Sequence, residues 1–272
     1  MKHLALPIVL LLGACQSPPS SDSLIHATLY TNTSAEYEAA TLGVYRSAEI
    51  QLPTYLLNRL HTASLEQNGD FAELPPAIVL DVDETVLDNS PFEVRLIEDG
   101  TSYPSGWNEW CNEAAARPIP GALEFTNFAA DQGVTVFYVT NRKEVLKAGT
   151  YKNLVDRGFP MRPGVDTLLM RGGQPEWGSD KTSRRAMIAK DYRILMLFGD
   201  NAGDFVALDA AKGLAEARRA SLMEHADRWG QSWFMLPNPM YGYWDESAIG
   251  GDYSQKASEL RRLRVRAMDA KR

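Results

Sequence analysis

Residues 77–85 read Ala77-Ile78-Val79-Leu80-Asp81-Val82-Asp83-Glu84-Thr85. An apolar run, bounded on its amino side by Pro75-Pro76, ends in two aspartates spaced by one residue. Such a run predicts a buried strand over 77–82. Carboxylates at the carboxyl end of a buried parallel strand stand where open α/β sheets place their active sites. Charge buried there is costly unless a metal or partner compensates it. The pair therefore needs a reason to exist, and catalysis on a phosphate supplies one.

Working outward, strands are expected over 134–140, 166–170, 193–199 and 233–236. Helices are expected over 35–67, with Pro53 as a break or a start, and over 121–131, 143–157, 181–191, 203–220 and 253–271. Residues 88–120 read as an irregular, Trp-rich accessory or lid segment. Alternating strands and helices imply an α/β fold, a doubly wound parallel sheet with right-handed crossovers. With 272 residues, 44% of them hydrophobic, the chain suits a single globular domain, expected over 35–272. A net charge of −7 argues against a duplex nucleic acid as partner.

Four polar clusters follow these strands or open the next helix: Asp81-Val82-Asp83-Glu84-Thr85, Thr140-Asn141-Arg142, Ser179-Asp180-Lys181-Thr182 and Gly199-Asp200-Asn201-Ala202-Gly203-Asp204. In a doubly wound sheet the carboxyl ends of neighbouring strands converge on one crevice, so distant clusters can share a site. Together they have a coherent chemistry for phosphoryl transfer. Asp81 is the candidate nucleophile, forming an aspartyl-phosphate. An anion attacking an anion needs a divalent cation between them. Mg²⁺, which prefers oxygen ligands, is expected on Asp81, Asp200, Asp204 and the backbone carbonyl of Asp83. Asp83 is the candidate general acid and base. Thr140 is expected to donate to the transferring group, and Lys181 to neutralise it and hold Asp81. Asn141 and Arg142 are candidate substrate contacts. Arg184 and Arg185 read more simply as solvated or salt-bridged surface residues.

Blander readings exist for each piece. An EF-hand is excluded because Val86 stands where its glycine is needed. Asp200 and Asp204 alone could be turn and cap residues. His3, His26, His61 and His225 do not gather near any motif, which disfavours a histidine-ligated zinc site. Cys111 reads as a small buried hydrophobe.

The first residues read as a targeting segment. Lys2 precedes the apolar stretch Leu4–Leu12, which is well short of the roughly 20 residues of a membrane span. Leu12-Gly13-Ala14-Cys15 looks like a bacterial lipobox. Residues 1–14 are expected to be a lipoprotein signal peptide, Cys15 the lipidation site, and 15–34 a lipidated tether. Gln16 after the cysteine favours the outer membrane within the bacterial cell envelope.

The four clusters resemble the haloacid dehalogenase superfamily. Asp83, two residues after the nucleophile, resembles its phosphatase branch. The longer strings Ile78–Ser90, Phe137–Arg142 and Phe198–Asn201 resemble the bacterial class C, or lipoprotein, acid phosphatases, with Asp81, Asp83, Asp200 and Asp204 as the four-aspartate signature. The resemblance covers roughly residues 36–246. It implies a haloacid dehalogenase-like Rossmannoid core with a small, mostly helical lid. It also implies Mg²⁺-dependent phosphomonoesterase activity at mildly acidic pH, often on nucleoside 5′-monophosphates, and a homodimer. In that family an aromatic pair clasps the substrate ring, which carries over to Trp107 and Tyr241, with Trp110 as a further candidate. Core or lid packing is the competing reading of these rings. A phosphotransferase would carry the same motifs, and a non-catalytic binding lipoprotein would not need Asp81, Asp83, Lys181 and Asp200 together.

Overall fold

The computed structural model describes residues 22–268. The expected signal peptide, Cys15 and the start of the tether lie outside the described residues. From Asp22 the expected tether is a helix, α1 (Asp22–Thr33). It has a docking surface: Thr28 and Thr31 are buried, and Asn32 Nδ2 donates to Ser90 Oγ at 2.9 Å. Ser34 then caps α2 (Ala35–Leu57), its hydroxyl accepting from the Tyr37 amide at 3.1 Å. Tyr37, Thr41, Tyr45, Ala48 and Leu52 form its buried stripe, spaced by three and four residues as a helix face requires. Pro53 neither breaks nor starts this helix; it lies on the exposed side of the last turns. The helix stops ten residues before the expected end, at Leu57.

The chain then forms β1 (Pro76–Leu80), β2 (Leu87–Asp88), α3 (Ser90–Asp99), α4 (Trp107–Glu113), β3 (Arg117–Pro118) and α5 (Ala122–Asp131). Next come β4 (Thr135–Lys143), α6 (Lys147–Asp156), β5 (Leu168–Arg171), α7 (Thr182–Asp191) and β6 (Arg193–Gly199). The last elements are α8 (Leu208–Lys212), α9 (Ala215–Met223), β7 (Trp233–Met235), α10 (Tyr243–Ile249) and α11 (Ala257–Ala267). Residues 88–120 are thus mostly helical, closed at their base by the antiparallel pairing of β2 with β3. The expected helix 203–220 is interrupted, with Gly213 between α8 and α9. The expected helix 253–271 is shorter, α11 alone, and the segment before it carries α10, which ends where Gly250 and Gly251 take positive φ of 74° and 79°, a region that few residues other than glycine adopt.

The sheet runs β5-β4-β1-β6-β7, with all neighbours parallel. The chain winds from β1 outward through β4 and β5, then returns to the other side of β1 with β6. The topological switch point therefore lies between β1 and β6, where open α/β sheets bind ligands. Strands β1 and β6 are buried along nearly their whole length, which explains their unbroken apolar runs. One face packs Tyr45, Phe125, Phe198 and Phe234, with ring centroids 4.9–5.8 Å apart in successive pairs. The other face packs Phe137, Ile188, Leu197, Phe205 and Trp233. Among the described residues no helix is long and apolar enough to cross a membrane.

Candidate active site

Asp81 is the first residue past β1, and its amide donates to Phe198 O of β6 at 3.0 Å. This bond ties the two strand ends on either side of the switch point. The following turn is forced: Glu84 has a φ of 53°, costly for a residue with a side chain. Its buried carboxylate accepts from the Asn89 amide at 2.7 Å and from Asn89 Nδ2 at 3.1 Å. Burial pushes that carboxyl well above the usual range, and the charge of Asp83 adds to the rise.

From β6 come the other acids. Asp200 accepts from Asn238 Nδ2 at 2.8 Å. Asp204, one helical turn on, accepts from the Asn201 amide at 3.0 Å. The Asp204 side chain crosses directly over Gly199: a Cβ added there would lie 2.2 Å from Asp204 Oδ2, so only glycine permits this approach.

Asp81, Asp200 and Asp204 each bring a carboxylate oxygen within 4.8 Å of the others. Lys181, which immediately precedes α7, reaches Asp81 Oδ1 at 2.5 Å and Asp204 Oδ1 at 2.6 Å. Burial opposes the charge of Lys181, but Asp204 and Asp81 outweigh it and raise its pKa. Burial pushes Asp81 up to about 7, with Lys181 opposing and Asp204 and Asp83 adding to the rise. Burial also drives Asp200 well above its ordinary value. One lysine against three acids leaves the cluster short of positive charge. An all-oxygen donor set with unmet negative charge fits a divalent cation. The cleft in front of the cluster is lined by Asp81, Asp83, Asn141, Lys181, Asp200, Asn201, Asp204, Tyr241 and Tyr243, among others.

Asp83 stands at the rim. Its Oδ1 accepts from Arg142 Nη2 at 2.7 Å, Arg142 Nε at 2.9 Å and Asn89 Nδ2 at 2.8 Å. Arg142, expected at the substrate, has a side chain that is 1% exposed and is spent on Asp83, Asn89 and Thr150. Thr140 is buried, its hydroxyl accepting from the Arg142 amide at 3.0 Å. Asn141 reaches the cleft, but its amide is bound on both sides, donating to Ser179 O at 3.0 Å and accepting from Arg184 Nη2 at 2.7 Å.

Arg184 and Arg185 are likewise not surface residues; both are essentially fully buried. Arg184 donates to Thr140 O at 2.6 Å as well as to Asn141. Arg185 pairs with Glu66 at 2.6 Å and donates to Asp204 O at 3.1 Å. Helix α7 thus holds the ends of β4 and β6 to the lysine that precedes it.

The aromatic candidates divide. Tyr241 lines the cleft. Trp107 is half-buried, edge-on to Phe92 at 5.1 Å, with the Arg142 guanidinium 5.3 Å from its ring centroid. Trp110 is buried and does not face the cleft; its indole N–H donates to Asn89 Oδ1 at 2.7 Å. Sequence reasoning missed Asn89, Asn238 and Tyr243. Lone amides carry no signal of their own, although Asn89 falls within the long string around the first motif. Tyr243 lies two residues beyond Tyr241.

The family model described as HAD superfamily, subfamily IIIB (acid phosphatase) matches residues 24–244. The chain belongs to this subfamily. It is similar to the class C acid phosphatase of Bacillus anthracis. The tungstate-bound structure of that protein matches with a TM-score of 0.81 and 28% identity, over 93% of this chain and 99% of that one. A second structure of the same enzyme matches at 0.78 and 29%, over 92% and 98%. "Acid phosphatase 1" of Solanum lycopersicum is 26% identical over 174 residues, 60% of this chain and 57% of that protein's length.

Proposed function

We propose that the protein is an acid phosphatase that hydrolyses phosphomonoesters through an aspartyl-phosphate on Asp81. The observation that carries this reading is the placement of Asp81 at the switch point, with Lys181 on one side and Asp83 at the rim. Asp81, Asp200, Asp204 and the Asp83 carbonyl would hold Mg²⁺, which would offset the charge of the phosphate and of the attacking carboxylate. Asp81 attacks phosphorus and the ester oxygen leaves. Asp83, held through Oδ1 by Arg142 and Asn89, gives that oxygen a proton and then takes one from the water that frees Asp81. Lys181 shares its charge between Asp81 and the phosphoryl oxygens. The tungstate in the B. anthracis structure supports a tetrahedral oxyanion as the ligand class.

Nucleoside 5′-monophosphates are the proposed substrates, with Tyr241 and Trp107 flanking the base; stacking of this kind is worth roughly 1–3 kcal/mol per base. The lipobox-like Leu12-Gly13-Ala14-Cys15 supports an enzyme anchored in the cell envelope through Cys15. The test is phosphate release from 5′-nucleotides, 3′-nucleotides and sugar phosphates, with Mg²⁺ and with chelator. Metal-dependent release that favours 5′-nucleotides is expected. Equal release from all esters would remove the nucleotide preference, and no release would overturn the phosphatase reading.

A further inference from the structure

The loop after β7 is tied to the acidic cluster by one side chain. Asn238 Nδ2 donates to Asp200 Oδ2 at 2.8 Å. Its Oδ1 accepts from the Met240 amide at 3.0 Å and, at 3.4 Å, from the Tyr241 amide. Its backbone carbonyl accepts from the Trp244 indole at 3.1 Å, and the same indole reaches Tyr241 O at 3.2 Å. Residues 238–241 are therefore closed into a small ring. At one end of it an amide grips an acid of the cluster; at the other Tyr241 faces the cleft. Gly242 completes the fit, since a Cβ there would meet Trp244 at 2.9 Å and Asn201 Nδ2 at 3.2 Å.

We infer that Asn238 is a positioning residue that couples cation binding at Asp200 to the ordering of the Tyr241 loop. The inference rests on the cation reading of the proposed function. The Asn238 bond occupies Asp200 Oδ2, so it selects which oxygen faces the cluster and fixes the carboxylate plane. A cation on Asp200 would pin that plane and, through Asn238, the amides of Met240 and Tyr241. Linkage is reciprocal: whatever orders the loop strengthens cation binding to the same degree. Partners of a ligating carboxylate are typically worth 10–100-fold in metal affinity.

The experiment needs no turnover. Mg²⁺ binding to the full chain is followed by calorimetry, and backbone hydrogen exchange over 237–244 is read with Mg²⁺ and with chelator. Saturating Mg²⁺ is expected to slow exchange at Met240 and Tyr241 by about fivefold or more. Asn238→Ala is expected to weaken Mg²⁺ binding by roughly 10–100-fold and to abolish the added protection even at saturation. Unchanged exchange in β1 and β6 would confirm that the variant is folded. Binding of Mg²⁺ to the wild type without added protection would overturn the coupling alone. Failure of the wild type to bind Mg²⁺ would overturn the cation reading and the coupling with it.

Discussion

Lys181 Nζ lies between Asp81 Oδ1 at 2.5 Å and Asp204 Oδ1 at 2.6 Å, so one buried ammonium bridges a carboxylate following β1 and one following β6. Removing one partner of a buried ion pair leaves charge uncompensated, at a cost of about 3–5 kcal/mol. Lys181→Met is therefore expected to be destabilised by that order in urea unfolding at pH 7.5. The loss should shrink at pH 5, because Asp81, already raised to about 7 by burial, would then be protonated. A Lys181→Met protein as stable as wild type at pH 7.5 would contradict this account.

Asp83→Asn keeps the bonds' geometry but cannot deliver a proton. Turnover is expected to fall by about 10²–10⁴-fold with alkyl phosphates. The loss should be much smaller with p-nitrophenyl phosphate, whose leaving group needs little protonation. Equal losses on both esters would remove Asp83 from the acid role.

Trp110 holds Asn89, and Asn89 holds Asp83. Trp110→Phe is expected to lower kcat about fivefold, the equivalent of one hydrogen bond of about 1 kcal/mol, with KM unchanged. A ring stacked on substrate would show the reverse, a raised KM, so steady-state kinetics distinguish the two roles.

Glu93 on α3 is buried, and burial pushes its carboxyl from 4.5 up to about 7. Between those values the folded protein keeps a proton that the unfolded chain has released. The contribution is thus fully present below about pH 4.5 and is lost as pH rises to about 7. Glu93→Gln should gain on the order of 2–3 kcal/mol over wild type at pH 7.5 and nothing at pH 4. Melting curves at the two pH values test this; an equal gain at both would assign it to packing instead.

The strands were legible because β1 and β6 are buried on both faces and so read as unbroken apolar runs. The acids at their ends were legible for the same reason: charge abutting such a run has few structural explanations. Burial of the arginines was not legible. Arg184 and Arg185 look like solvent-facing residues in the sequence and Arg142 like a substrate contact, and only the fold shows the carbonyls and carboxylates that receive them. Helix limits failed where tertiary contacts decide them. Pro53 sits on an exposed side where its helix continues, and Gly213 divides a stretch whose composition reads as one helix. The packing of Trp110 was not legible either, because an indole three residues from Trp107 gives no sign of which way its N–H points.

Gly199 contributes no functional group, yet Asp204 occupies the volume its side chain would fill. A methyl at that position would displace the carboxylate, and with it the partner that steadies Lys181. Gly199→Ala should therefore behave in a loss-of-function screen like a change to one of the acids themselves. An inventory of the site drawn up from reactive atoms would omit the residue whose emptiness sets its spacing. In a redesign of this scaffold, position 199 is as closed to variation as the aspartates, though nothing there ever touches a reactant.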